Sequence, residues 1–144
     1  KAEFFRENLA RYNMGIEDRM KTKIGLLSGG QRQVVTLLMC TLSIPKLLLL
    51  DEHTAALDPA TAKRVMEITK RIVSENNITT MMITHNLNQS LNTGSRTIML
   101  DSGEIILDLS GKERENMTID DMIKMYSAKK QKKFDNDRIL LSRE

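Results

Sequence analysis

A chain of 144 residues, 40% hydrophobic and 28% charged, is long enough to bury a real core and has an ordinary globular composition. Aromatics are only 3% while methionines number ten, so the core must rest on aliphatic and thioether packing. The net charge of +3 resides in residues 128–144, where six basic residues stand against three acidic ones; the balanced body argues against a nucleic-acid surface.

No apolar run approaches the roughly 20 residues of a membrane span, and no signal peptide is visible. The lone Cys40 excludes an internal disulfide framework, and its apolar helical surroundings point to a buried, inert thiol. The chain starts at Lys1 rather than Met, which hints at a fragment.

Residues 2–13 place Ala2, Phe5, Leu9 and Tyr12 on one helical face, with Gly15 as a stop. The irregular residues 15–27 read as a connecting helix-turn stretch. Ser28 is a helix cap, and Gly29 and Gly30 have no side chain to keep a ligand from their N–H groups. The helix behind them aims the positive end of its dipole at that spot and favours an anion such as phosphate. Residues 31–42 are apolar on most sides, which predicts a nearly buried helix, and Pro45 ends it.

Leu47, Leu48, Leu49 and Leu50 form a run short enough for a strand buried on both faces. Asp51 and Glu52 follow directly. Two carboxylates are costly beside a core unless a metal or a reacting group sits there. Asp58 then caps a helix with Pro59 at its first position. Ala62, Val65, Met66, Thr69, Ile72 and Val73 make that helix's apolar face, opposite Lys63, Arg64, Glu67, Lys70 and Arg71. Residues 79–84 are β-branched and Met-rich, a second buried strand.

A strand-helix-strand unit gives parallel strands with a right-handed crossover. Asp51, Glu52 and His85 then all follow the carboxyl ends of strands, the edge at which open α/β sheets bind ligands. Residues 86–92 predict a short helix. Residues 97–101 and 104–109 flank Ser102-Gly103 as a hairpin. Thr118 and Asp121 make a capping-box-like start for a helix through Tyr126, followed by a basic tail, helical or disordered. Domain boundaries are expected at 1–127 and 128–144.

Four ordered features carry a resemblance: Leu27-Ser28-Gly29-Gly30-Gln31, the leucine run ending in Asp51-Glu52, Ala55-Ala56-Leu57-Asp58, and Thr84-His85. With Ser28 and Asp51 separated by 23 positions and Asp51 and His85 by 34, they resemble the signature, Walker B, D-loop and switch histidine of ABC-type ATPases. The similarity covers about residues 3–125 and is greatest to bacterial importer subunits. It implies the C-terminal part of a P-loop NTPase (RecA-like) parallel sheet, part of the ABC helical subdomain and a C-terminal β-hairpin.

The same resemblance implies Mg²⁺ held through Asp51 and a water oriented or deprotonated by Glu52. His85 would contact the γ-phosphate. Leu27, Ser28, Gly29, Gly30 and Gln31 would meet the ATP of an opposing subunit in a head-to-tail dimer, with Asp58 linking the two sites. The implied partners are transmembrane permease subunits and a substrate-binding protein at the cytoplasmic face of the plasma membrane, with no nucleic acid. His53, where the family often has proline, receives no chemistry. No GxxxxGK[ST] occurs, so the 144-residue chain alone is expected neither to bind ATP tightly nor to hydrolyse it. A chromosome protein of SMC type needs a long heptad segment that residues 2–13 do not show, and an ABC factor acting in translation is left weakly open by the basic tail.

Overall fold

The computed structural model describes the backbone of residues 2–141 and the side chains of residues 2–131. The chain divides into two compact units, one ending at Ile83 and the other beginning at Thr84.

The first unit runs α1 (Ala2–Ala10), two short 3-10 turns (Glu17–Arg19 and Ile24–Leu26), α2 (Gly29–Thr41), β1 (Leu48–Asp51), α3 (Pro59–Glu75) and β2 (Thr80–Ile83). Helix α1 stops before Asn13 and Gly15, both in the left-handed region. Its exit is fastened to α3: Arg64 donates to Asn13 O at 2.9 Å and Arg71 to Arg11 O at 3.2 Å. Strands β1 and β2 pair in parallel from Leu48 with Thr80 to Asp51 with Ile83. Val34 and Leu37 of α2, Val65 and Ile72 of α3, and Leu48 and Leu50 of β1 form the core between them.

Two expectations are corrected here. Strand β1 is buried on one face only: Leu49 is 65% exposed, and Met81 of β2 is 57% exposed. Helix α2 likewise buries one side (Gly30, Val34 and Leu37), leaving Met39 and Leu42 open and Cys40 exposed rather than enclosed. The reason is geometric. In this unit α2 and α3 pack on one face of a two-stranded sheet, and one layer of helices covers one layer of side chains. Runs of leucine give no sign of how many layers surround them.

The second unit contains α4 (Leu87–Asn92), β3 (Arg96–Asp101), β4 (Glu104–Ser110), α5 (Gly111–Glu115) and α6 (Ile119–Leu141). The expected hairpin is present: β3 and β4 are antiparallel, and Ser102 and Gly103 both take positive φ at the turn, as a tight two-residue connection requires. Arg96 grips Asp108 with two bonds of 2.8 and 2.6 Å. Ile106, Leu107 and Leu109 pack with Met122 of α6 as a small core. The start of α6 is capped as expected, with Asp121 N donating to Thr118 Oγ1 at 3.1 Å. Helix α5 was not anticipated. The basic tail continues α6 to Leu141. Its last three positions, like Lys1, lie outside the described residues.

Candidate functional site

The N-terminus of α2 is built by a complete capping box. Gln31 N donates to Ser28 Oγ at 3.2 Å, and Ser28 N donates to Gln31 Oε1 at 3.1 Å. Gln31 Nε2 donates in turn to Met14 O at 2.8 Å, so both ends of that side chain are engaged inside the chain. Leu27 is buried, and its carbonyl accepts from Arg32 Nη1 at 3.3 Å. The amides of Gly29 and Gly30 fall at the first two helical positions, which a helix leaves without internal partners. An anion there would meet N–H groups and the positive end of a 13-residue helix dipole.

The glycines have a second physical reason to be glycines. A Cβ on Gly29 would lie 2.9 Å from Leu57 Cδ2, and one on Gly30 would lie 2.3 Å from Thr61 Cγ2. The glycine turn and the start of α3 are thus in direct contact. Asp58, between Leu57 and Thr61 in sequence, caps α3 by accepting from Thr61 N at 3.1 Å. Hydrogen bonding by Thr61, hydroxyl first and amide second, holds the Asp58 carboxyl below its ordinary pKa.

Asp51 closes β1 and is exposed; Glu52 follows it in the left-handed region at φ +43°, a conformation that costs a non-glycine residue about 1–2 kcal/mol. Two backbone bonds hold it there. Glu52 N donates to Ile83 O at 3.0 Å, extending the β1–β2 ladder, and Glu52 O accepts from Ala55 N at 2.9 Å. The positive φ turns the chain out of the sheet, so the exposed Glu52 stands at the strand end beside Asp51. The neighbouring His53 is half-buried, with Nε2 3.1 Å from Thr69 Oγ1 in the middle of α3. Burial pushes its pKa below the usual imidazole value. Sequence reasoning missed this contact. The 16 positions between the two residues match no local motif, and only the fold brings them together.

His85 belongs to the second unit, in the loop before α4, and is exposed. Its loop is ordered by its neighbours. Asn86 caps α4 through Gln89 N at 3.0 Å and donates its own amide to Thr84 Oγ1 at 3.1 Å; Thr84 Oγ1 also donates to Gln89 Oε1 at 2.6 Å. Arg114 of α5 closes the far end of α4, donating to Thr93 O at 2.8 Å and to Thr97 Oγ1 at 2.8 Å. The structure therefore groups the expected site residues as follows: Ser28, Gly29, Gly30, Gln31 and Asp58 lie around two touching helix starts, Asp51 and Glu52 at the end of β1, and His85 at the opening of the second unit.

Among the described residues, no three His, Cys, Asp or Glu side chains gather into a metal site. A Mg²⁺ ion needs less than that: it keeps several waters and takes one or two carboxylates plus substrate phosphate oxygens. An exposed carboxylate at a strand end, such as Asp51, meets that requirement.

The ABC transporter family model matches residues 2–55, which include the capped glycine turn and the Asp51-Glu52 pair. The chain is 49% identical over 114 residues to a tyrosine transport ATP-binding protein of Clostridioides difficile, an alignment covering 79% of this chain and 45% of that protein. It is 34% identical over 98 residues to an aliphatic sulfonates import ATP-binding protein of Pseudomonas putida, covering 68% and 36%. A solved structure described as a metal-chelate type ABC transporter in an inward-facing conformation superposes with a TM-score of 0.60 at 29% identity, over 74% of this chain and 42% of that one. The chain spans less than half the length of these relatives.

Proposed function

We propose, from the premise that this chain belongs to the ABC transporter ATP-binding family and is of importer-like type, that it forms the signature and Walker B portion of an ATPase that drives uptake of a small organic solute. The observation that carries the reading is the pairing of an exposed Asp51-Glu52 with the carboxyl end of a parallel strand, in a unit that also presents a capped glycine turn for phosphate.

Each residue has a role set by its chemistry. Asp51 is the carboxylate for Mg²⁺, which when bound neutralises charge on the phosphates. Glu52 orients the attacking water and accepts its proton, a contribution worth roughly 10²–10⁴-fold. His85 is the γ-phosphate contact that the motif order assigns to it. The amides of Gly29 and Gly30, with Ser28, bind the γ-phosphate of a nucleotide carried by a second subunit in head-to-tail arrangement. Leu27 and Gln31 keep that turn in shape through burial and the capping box. Asp58, at the start of the helix that touches the glycines, ties the two sites together.

The named relatives concern tyrosine and aliphatic sulfonates, which supports an amino acid or similar solute as cargo. Permease subunits and a substrate-binding protein complete the assembly at the cytoplasmic face of the plasma membrane. Attachment is peripheral in this reading; among the described residues no helix is long and apolar enough to cross a membrane.

The test compares the 144-residue chain alone with the same chain fused behind a P-loop-bearing N-terminal segment of an ABC ATPase. The fusion should hydrolyse ATP steadily. The chain alone should neither bind ATP at micromolar concentration nor turn it over. Turnover by the isolated chain, or none by a folded fusion, contradicts the proposal.

A further inference from the structure

We propose that His53 is a positioning residue for Glu52, pinning the left-handed turn at the end of β1 to helix α3 through Thr69; its catalytic consequence rests on the role assigned above to Glu52. Glu52 occupies a disfavoured backbone conformation and must be held in it. The two bonds already described, from Glu52 N to Ile83 O and from Ala55 N to Glu52 O, are backbone bonds open to any residue at that position. The contact from His53 to Thr69 depends on side-chain identity, and it acts one residue from the strained one.

The chemistry at Thr69 defines the direction of the bond. Its hydroxyl donates to Val65 O at 2.8 Å, so its proton is committed within α3. The oxygen then accepts, and Nε2 of His53 must carry the hydrogen. Thr69 is buried, so solvent offers His53 little replacement for this acceptor, and α3 is anchored by the packed side chains of Val65 and Ile72. The pin therefore joins the end of a strand to the helix of the unit that buries the most side chains. Releasing it lets the turn at residues 52–55 relax and moves the Glu52 carboxylate away from the position the strand end imposes.

Amide hydrogen exchange on the nucleotide-free 144-residue chain reads the pin directly. In His53→Ala, and in Thr69→Val, which keeps the shape of the helix side chain, exchange at Glu52 and Ala55 should rise about tenfold or more. Leu48, whose amide donates to Thr79 O at the other end of β1, should keep its rate. His53→Gln, with an amide N–H able to reach the same hydroxyl, should restore protection. Unchanged exchange at Glu52 and Ala55 in both variants overturns the pin, as does an equal loss at Leu48. In the fused ATPase, His53→Ala and Thr69→Val should lower kcat roughly ten- to a hundredfold with KM for ATP unchanged. Faster exchange with an unchanged kcat overturns the positioning role. An inactive wild-type fusion instead overturns the function assigned to Glu52, and exchange still decides the pin.

Discussion

Gly30 and Thr61 meet so closely that a methyl group on the glycine would lie 2.3 Å from Thr61 Cγ2. Contact at that range is repulsive, so helix packing by itself requires a glycine at position 30. The capped glycine turn and the helix begun by Asp58 are thereby held in one fixed relation. Gly30→Ala should destabilise the first unit by about 1–3 kcal/mol through overpacking, outweighing the roughly 1 kcal/mol that alanine gains over glycine in a helix. Thr61→Ser removes the clashing methyl and keeps the hydroxyl, and in the double variant it should recover most of the loss. Urea melts of the four proteins in this cycle measure the coupling, and strictly additive effects would refute the contact.

Ser28→Ala should lower stability by about 1 kcal/mol, because the capping box loses its acceptor for Gln31 N. Circular dichroism melts check this. An unchanged midpoint would mean that α2 starts elsewhere.

The capping carboxylates predict a dependence on acid. Bonds from Thr61 hold the pKa of Asp58 below its ordinary value, and bonds from Thr118 do the same for Asp121. A carboxyl whose folded pKa is depressed contributes stability that is present above its unfolded value of about 3.9 and is lost as pH falls through the folded value. The chain should therefore unfold at lower urea concentration at pH 3 than at pH 6. Asp58→Asn keeps a cap without a titrating group and should flatten part of that slope. A slope unchanged in Asp58→Asn contradicts the assignment.

Arg114→Met should loosen the second unit by about 1–3 kcal/mol, since the carbonyl of Thr93 and the hydroxyl of Thr97 lose a partly buried donor. Exchange at amides of α4 should quicken, while the amides of β1 keep their rates. Equal effects in both units would argue that Arg114 acts otherwise.

Much of this architecture was legible in the residues because it is encoded locally. Ser28 as a helix cap, Asp58 with Pro59, Thr118 with Asp121 and Ser102 with Gly103 are signals carried by neighbouring residues, and each appears in its expected place, the Ser28 cap proving to be a full box with Gln31. The parallel pairing of β1 with β2 followed from the strand-helix-strand order. Burial was less legible. The leucine run and the apolar α2 suggested full enclosure, yet Leu49, Cys40 and Leu42 are exposed, since hydrophobicity records a demand for cover and not how much one unit supplies. The link from His53 to Thr69 and the close approach of Gly30 to Thr61 were invisible for another reason. Both join residues far apart in sequence that only the packing of α3 brings together.

The most direct measurement is steady-state ATP hydrolysis by the fused ATPase with Glu52 intact and with Glu52→Gln, alongside ATP binding by both. If Glu52 activates the attacking water, the variant binds ATP as the parent does and its turnover falls roughly 10²–10⁴-fold. Equal turnover in the two proteins would remove Glu52 from the reaction and, with it, the chemical role given to the end of β1.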